Sequence, residues 1–567
     1  MQEHDKDSNF KLRDRIDRRY VSMEQERTSF LPFYQDIADH TNPRTARIYT
    51  TVDSAKGAKY NGKIIDPTAA IASGRLKSGL MAGMTSPARP WFKLGTEDPM
   101  LKDHGGVKAW LYDVEVILRD VLSKSNFYQV IPSVYGSLGD YGMAAISELE
   151  DDVAVVRFNF FPIGTYMIAV DPRNRVDSFY RKYPKTVRQL VMEFGIDNVS
   201  PNVKTQYESK QFEFEVTVGH VIEPNDDTDG ITFNAENKPY RSIYFEWDSD
   251  HSLVLKKSGF DEFPIMAPRW DLFDDSCYGY GPGMLALGPN KALQLADKRE
   301  TQAVDWHVRP HYLVDSSLRS QFNGMNPGGH TFMDNLASSS HAGARPLREA
   351  NPSIQEIDVK IQRYQGFIKQ CYYEDMMMMI SQSDDPQKTA RQIEEEHSEK
   401  VMAIGPMMER MNDELLDQVI KRTLGICLRR GLIPPPPEEL QGKMPQIEYT
   451  SILSQAQKLL GTANIEKVTQ FVLGAASVNP AALDKFDVDE AIDTYAEMHG
   501  INPNIIRTKD NVKGLRDVRA KQQQAAAMAQ MAQPMERMAK AGKAMGETDP
   551  GNVQDLVATM SGGQAGR

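Results

Sequence analysis

The sequence predicts an α+β fold that is predominantly helical. Apolar residues recur at helical spacing through most of the chain, whereas the stretch from Met143 to Ala169 is rich in Val, Phe, Tyr and Ile and reads as strands, with further strand patterns after it. The length, 567 residues, exceeds one ordinary compact core and predicts two or more domains.

Composition narrows the function classes. Hydrophobic residues at 40% and charged residues at 25% are the proportions of an ordinary folded chain. No continuous apolar run has the length a bilayer requires, and MQEHDKDSNFKLRDR at the N-terminus has no apolar core of a secretory signal, so the expectation is a chain that folds in a cytosol-like space with no membrane partner. The three cysteines, Cys277, Cys371 and Cys427, form no CxxC pair, which predicts neither a disulfide framework nor a zinc site. The net charge of −12 argues against a static clamp on DNA, because phosphate neutralisation by a basic face supplies most non-specific affinity. It is compatible with a conduit, since a wall that repels phosphate lets a polyanion slide.

Taken in order, residues 10–40 read as a helix with an apolar stripe through Leu12, Ile16, Tyr20 and Met23. A second helix is expected from Thr68 to Met84, ended by Ser86-Pro87 and Arg89-Pro90, and a third from Gly106 to Ser123 on Val107, Leu111, Val114 and Leu118. AAISELEDDVAVVRFNFFPIGTYMIAVD reads as strands. FEFEVTVGHVIEP alternates strictly, and YRSIYFEWDSDHSLVLKKSGF reads as a hairpin turning at Asp248-Ser249-Asp250.

Two helices, Pro289 to His307 and Ser353 to Met379, bracket a loop-rich insert with Gly324, Pro327, Gly328, Gly329 and Gly343, in which HYLVD and GGHTFM are expected as short strands. The second helix carries one seam, Ile354, Ile357, Ile361, Tyr364, Ile368 and Cys371. Asp358, Gln362, Gln365 and Lys369 fall on another face, read either as a solvated surface or as a subunit contact or channel lining. SQSDDP (Ser381 to Pro386) is a polar break. A long helix from Gln387 to Arg430 follows, with Ile393, Val401, Ile404, Met408, Met411 and Leu415 on one side and a kink expected at Gly405-Pro406. IPPPPEEL is a stiff linker, residues 451–500 read as further helices, and Lys513 to Met545 has high helix propensity, ahead of a disordered end.

Catalytic chemistry is missing or only apparent. GAKYNGKI (Gly57 to Ile64) has the spacing of a phosphate-binding loop but Ile64 where Ser or Thr would hold Mg²⁺, and YGYGPG (Tyr278 to Gly283) lacks dinucleotide-loop spacing and reads as a tight turn feeding a helix. Neither HExxH nor GxSxG occurs, and the histidines are scattered. No catalytic residue, cofactor or metal ligand is predicted.

Several segments resemble the portal, or head-to-tail connector, family of short-tailed bacteriophages. They are IASGRLKSGLMAGMTSPARPWFKL (Ile71 to Leu94), GDYGMAAISELED (Gly139 to Asp151), FPIGTYMIAVDPRNRVDSFYRKYPKTVRQLVMEFG (Phe161 to Gly195), SGFDEFPIMAPRWDLFDDSCYGYGPGMLAL (Ser258 to Leu287) and KTARQIEEEHSEKVMAIGPMMERMNDELL (Lys388 to Leu416). In these, Trp91, Phe92, Trp270 and Pro406 read as structural anchors. The resemblance covers about residues 10 to 520. It implies a wing over 1–283, a first stem helix over 284–310, a clip over 311–350 and a second stem helix over 351–380. A tunnel loop over 381–388 would follow, then the wing's long kinked helix and linker over 389–450, a crown over 451–520 and a C-terminal helical extension or barrel over 521–567. It further implies a dodecameric ring in the virion, assembled in the host cytoplasm. Double-stranded DNA would pass Ser381, Gln382, Ser383, Asp384, Asp385, Gln387 and Lys388, and the implied partners are the terminase large subunit, tail adaptor and nozzle proteins, and capsid and scaffolding proteins. The competing readings are a tail adaptor of the same particle and a DNA-dependent ATPase using Lys63.

Overall fold

The computed structural model describes residues 2–43, 62–98, 104–228, 234–273, 276–309, 312–316, 330–333, 344–346, 354–382, 402–440, 445–455 and 512–524, with a few short pieces besides. Two compact units divide the chain, Met1–Phe486 and Asp487–Arg567.

The first unit opens with α1 (Gln2–Thr28) and α2 (Leu31–His40) in place of the single helix expected. Pro32 in the first turn of α2 has no N–H to donate backward, so the helix ends and restarts there. The predicted stripe of α1 is its buried face. Ile16, Tyr20 and Met23, with Leu12 beside them, pack on Met167, Tyr180, Val221, Ile243 and Phe245 of a sheet. α3 (Thr68–Met84) has the bounds its pattern predicts, and α4 (Gly105–Lys124) and α5 (Phe127–Tyr141) follow, with β1 (Phe92–Gly95) between α3 and α4.

The strand-rich region folds as two antiparallel sheets. β2 (Ala145–Asp151) pairs with β3 (Val155–Phe161) and, on its other edge, with β9 (Ile265–Met266). β4 (Tyr166–Val170), β5 (Val176–Thr186), β6 (Glu215–Pro224), β7 (Tyr240–Glu246) and β8 (Lys256–Phe260) form a five-stranded meander in that order. α6 (Val187–Phe194) and α7 (Pro201–Glu208) cover part of it. Two expectations are corrected here. β6 alternates in sequence but not in burial, because helices and loops cover both faces of this central strand and Gly219 to Glu223 are all buried. The β7–β8 hairpin exists, but residues 247–255 connect it, and the Asp248–Asp250 segment is only part of that loop.

α8 (Pro282–Val308) is the first of the bracketing helices. Expected at Pro289, it starts seven residues earlier, at another proline in the first turn, and runs on through Pro289. Its start is a backbone-to-backbone contact. The YGYGPG turn lies against the left-handed cap of α5, Gly142 (φ +75°), so closely that a Cβ on Gly279 would sit 2.2 Å from the Gly142 carbonyl oxygen and one on Gly283 2.2 Å from that of Asp140. The insert contributes a small sheet, in which β10 (Tyr312–Asp315) is flanked by β11 (His330–Met333), parallel, and β12 (Ala344–Pro346), antiparallel.

The second bracketing helix is broken where the pattern predicts continuity. α9 (Ile354–Cys371) ends, Tyr373 adopts φ +53°, and a separate helix, α10 (Glu374–Gln382), begins. Beyond it, residues 402–411 form α11, a π turn occupies Asn412–Leu416, and α12 (Asp417–Arg429) completes the segment. α11 runs through Pro406, which is exposed, and the departure from regular α bonding falls at the π turn. β13 (Gln446–Tyr449) pairs with β1. The largest core gathers α3, α4, α5, α9, α10, α11 and α12 around Leu76, Leu80, Ile368, Met377, Met408, Met411 and Leu415. All three cysteines are free.

In the second unit, residues 512–524 form a helix, α13, whose Leu515 and Val518 are exposed and whose Arg516 bonds both carboxylate oxygens of Asp489 at 2.5 and 2.7 Å.

Candidate functional site

The helix pair α8–α9 is set into the body by a network of short-chain polar residues. On α8, Asn290 and Gln294 are one turn apart on a face that is otherwise Leu287, Leu293 and Ala286, and both are buried. Burial of two amides is tolerated only if they are bonded, and they are. Asn290 donates to the His40 carbonyl at 2.9 Å. Gln294 donates to the Asp66 carbonyl and to Asn290 Oδ1, each at 2.9 Å, while its Oε1 accepts from the Ile65 and Asp66 amides at 2.7 and 2.9 Å. On α9, Gln365 donates to Asp66 Oδ2 at 2.7 Å, and Asp66 Oδ1 accepts the Thr68 amide at the start of α3. Gln294, midway along α8, and Gln365, in the second half of α9, meet at one residue, so the two helices lie side by side as a hairpin.

A second layer holds the break after α9. Asp140, at the end of α5, is almost completely buried, and desolvation raises its carboxyl above the usual range against the opposing effect of its hydrogen bonds. Its oxygens accept from Asn42 Nδ2 at 3.0 Å and from the Tyr372 hydroxyl at 3.2 Å. Glu374, the first residue of α10, is buried and paired with Arg75 of α3. α10 then lies so close to α3 that a Cβ on Gly79 would stand 2.5 Å from the Met377 Cβ. The left-handed Tyr373, a conformation that costs a non-glycine residue about 1–3 kcal/mol, is thus held from both sides.

Away from this base the pair is bare. Over its last turns α8 exposes Val304, Trp306 (55% exposed) and Val308 (70%), and α9 exposes Val359 in its first turns. Large apolar side chains exposed along a helix pair have no core of the subunit to cover.

The residues singled out from sequence divide as follows. The seam of α9 is buried at Ile361 and Ile368, with Ile357, Tyr364 and Cys371 packed on the core edge. On its other face, Asp358, Gln362 and Lys369 are exposed, Gln362 donating to Asp358 at 3.3 Å, whereas Gln365 is engaged with Asp66. Ser381 and Gln382 are the last residues of α10. Ser383, Asp384, Asp385, Gln387 and Lys388 lie outside the described residues, as do most of 311–350 and 456–511.

Trp91 and Phe92 are buried with ring centroids 4.7 Å apart, and Trp91 Nε1 donates to the Tyr128 hydroxyl at 3.1 Å. Trp270 is buried, stacked on Tyr373 at 6.3 Å. Next to it, Arg269 is nearly inaccessible, and Glu414 from the π turn bonds both its side chain and its backbone amide.

Of the phosphate-loop motif Gly57 to Ile64, residues 57–61 lie outside the described residues. Lys63 pairs with Asp39 at 2.7 Å, the amides of Ile65 and Asp66 are taken by Gln294, and the next helix begins only at Thr68. Sequence reasoning missed Asp66, Asp140, Asn290, Gln294, Tyr372 and Glu374. The available signal was Asn290 and Gln294, two amides four apart on the apolar side of a helix; the others carry none.

Comparison with known proteins supplies the family. A family model described as bacteriophage head to tail connecting protein matches residues 13–506. The portal protein of Salmonella phage epsilon15 is 41% identical over 547 residues, covering 96% of this chain and 97% of that protein. A probable portal protein of Bordetella phage BPP-1 is 37% identical over 511 residues, covering 90% and 92%. With the family model spanning most of the chain and two relatives 41% and 37% identical along nearly their whole length, the chain belongs to the bacteriophage head-to-tail connecting (portal) protein family.

Proposed function

We propose that this chain is the subunit of a dodecameric portal ring at one capsid vertex, through which double-stranded DNA enters during packaging and leaves on ejection. The observation that carries this reading is the α8–α9 hairpin, locked to the body at its base and exposing Trp306, Val308 and Val359 beyond it. Such a pair is completed by its neighbours. Copies packed side by side through these helices cover the apolar surface and close a fixed bore.

On this reading 1–283 with 389–450 is the wing, 284–310 and 351–380 are the stem, 311–350 is the clip, 451–520 the crown and 521–567 its extension. The clip presents the surface for the terminase large subunit and later for tail adaptor and nozzle proteins, and capsid and scaffolding proteins meet the outer wing. The tunnel loop, 381–388, whose first two residues end α10, meets the DNA, and the net charge of −12 favours sliding over gripping. The external motor supplies the work.

Electron microscopy of the purified full chain tests this. Rings with a central hole are expected, and a strictly monomeric species under assembly conditions overturns it. Assembly only on a pre-existing ring of another protein would favour the adaptor reading.

A further inference from the structure

Between the last turns of α1 and the β4–β5 edge of the five-stranded sheet lies a half-open cleft of about 190 Å³, larger than one ordered water needs, lined by Tyr20, Arg27, Gly164, Tyr180, Arg181 and Lys182 among others. It plays no part in the helix pair or its base. Its electrostatics are unusual for a chain in which acidic residues outnumber basic ones by 78 to 66.

Successive strand residues point to opposite faces. Tyr180 and Lys182 of β5 therefore face α1, while the Arg181 guanidinium turns away, over Phe161 and Tyr183. Two cationic side chains remain at the cleft. Arg27 donates Nη1 to the carbonyls of Gly164 and Tyr166, both at 3.1 Å, and its buried Nε has no partner. Its charge is met there by carbonyl dipoles alone. Lys182 places its ammonium 4.2 Å from the centroid of the Trp247 ring, a contact that leaves the charge intact. Among the described residues neither cation has a carboxylate partner. Tyr20 and Tyr180 line the cleft beside them, and Tyr20 packs on Trp247 with ring centroids 4.5 Å apart. Burial and the nearby Glu24 push the Tyr20 phenol up to about 12, so it stays a neutral donor at any working pH.

We propose that this cleft binds a phosphate group, held between Arg27 and Lys182. Arginine supplies directed N–H donors to oxyanions and lysine a point charge on a mobile stem, the pairing that recurs in phosphate recognition. The group can arrive as free phosphate or as part of a nucleic-acid backbone.

The test is calorimetric titration of the full chain with inorganic phosphate at constant ionic strength, with sodium chloride as the control. Wild type is expected to bind, and Lys182→Ala to bind about tenfold more weakly, one charge-assisted contact being lost. Lys182 is exposed and outside the carbonyl clamp, so its removal leaves the fold intact and keeps the test decisive even where Arg27→Gln fails to fold. A short duplex that displaces phosphate in a Lys182-dependent way identifies the backbone as the source, and a duplex without effect identifies free phosphate. Absence of phosphate binding to wild type, equal affinity in Lys182→Ala, or an equal response to chloride overturns the proposal. Ring formation is independent of every one of these outcomes.

Discussion

Arg269 and Glu414, 145 residues apart, form a bidentate ion pair in which Arg269 Nη2 lies 2.5 Å from Glu414 Oε1 and the Arg269 amide 2.9 Å from Oε2. The guanidinium also reaches Asn174 Oδ1 at 3.0 Å and the Asn174 carbonyl at 2.6 Å. One arginine thereby ties the segment before α8 to the β4–β5 turn and to the π turn that separates α11 from α12. π turns place a side chain where a regular helix would not, and Glu414 is a case of that.

Glu414→Gln leaves the buried guanidinium without its counter-charge. A loss of about 3–5 kcal/mol in unfolding free energy is expected. Urea titration of the variant beside Arg269→Lys checks it. A lysine keeps the charge but cannot span Glu414 and Asn174 together, so it is expected to rescue little.

Glu148 on β2 predicts a pH dependence. It is fully buried and bonded by the Thr423 hydroxyl at 2.8 Å, and its second oxygen has no partner. Arg422 bonds the Glu148 carbonyl instead of the carboxyl. Desolvation raises its pKa to about 8, against Arg422 and Thr423, which lower it. The folded state thus holds a proton that the unfolded chain releases near 4.5. Stability from this group is full below the unfolded value and is lost as pH rises toward about 8, by up to about 1.4 kcal/mol per pH unit, then stays constant. Glu148→Gln is expected to flatten the profile between pH 6 and 8 and to be the more stable protein at pH 8. Equal slopes for the two proteins in urea titrations across that range would refute the assignment.

Tyr372→Phe removes one of the hydrogen bonds to the buried Asp140 carboxyl and is expected to cost about 1–3 kcal/mol. The effect should concentrate at the break before α10. Amide hydrogen exchange in residues 374–382 is therefore expected to speed up more than in α4, and a uniform change across the chain would show that Tyr372 is not a local tie.

Trp306→Ser and Val308→Ser alter the bare end of α8. The fold of the isolated chain should be unchanged by circular dichroism, because both side chains are exposed within the subunit. Ring assembly should fall sharply in sedimentation. Full assembly of the double variant would remove the stem helices from the proposed contact.

Much of the fold was legible because it rests on local periodicity. The stripe of α1, the bounds of α3 and the seam of α9 follow from apolar spacing alone, since a helix with one apolar face has one face to bury. The family, too, was legible in the ordered run of motifs from Ile71 to Leu416, and the match over residues 13–506 agrees with it.

The tertiary structure alone decided where those regular elements stop and what holds them. Nothing in Cys371-Tyr372-Tyr373-Glu374 marks a helix break by composition. Tyr373 turns left-handed because Asp140 fixes Tyr372 from 232 residues away and Arg75 fixes Glu374 from 299 residues away. The buried amides of α8 and the covered second face of β6 have the same origin. A short window of sequence sets the period of an element, whereas the partner of a buried polar group is chosen by residues that only folding brings near.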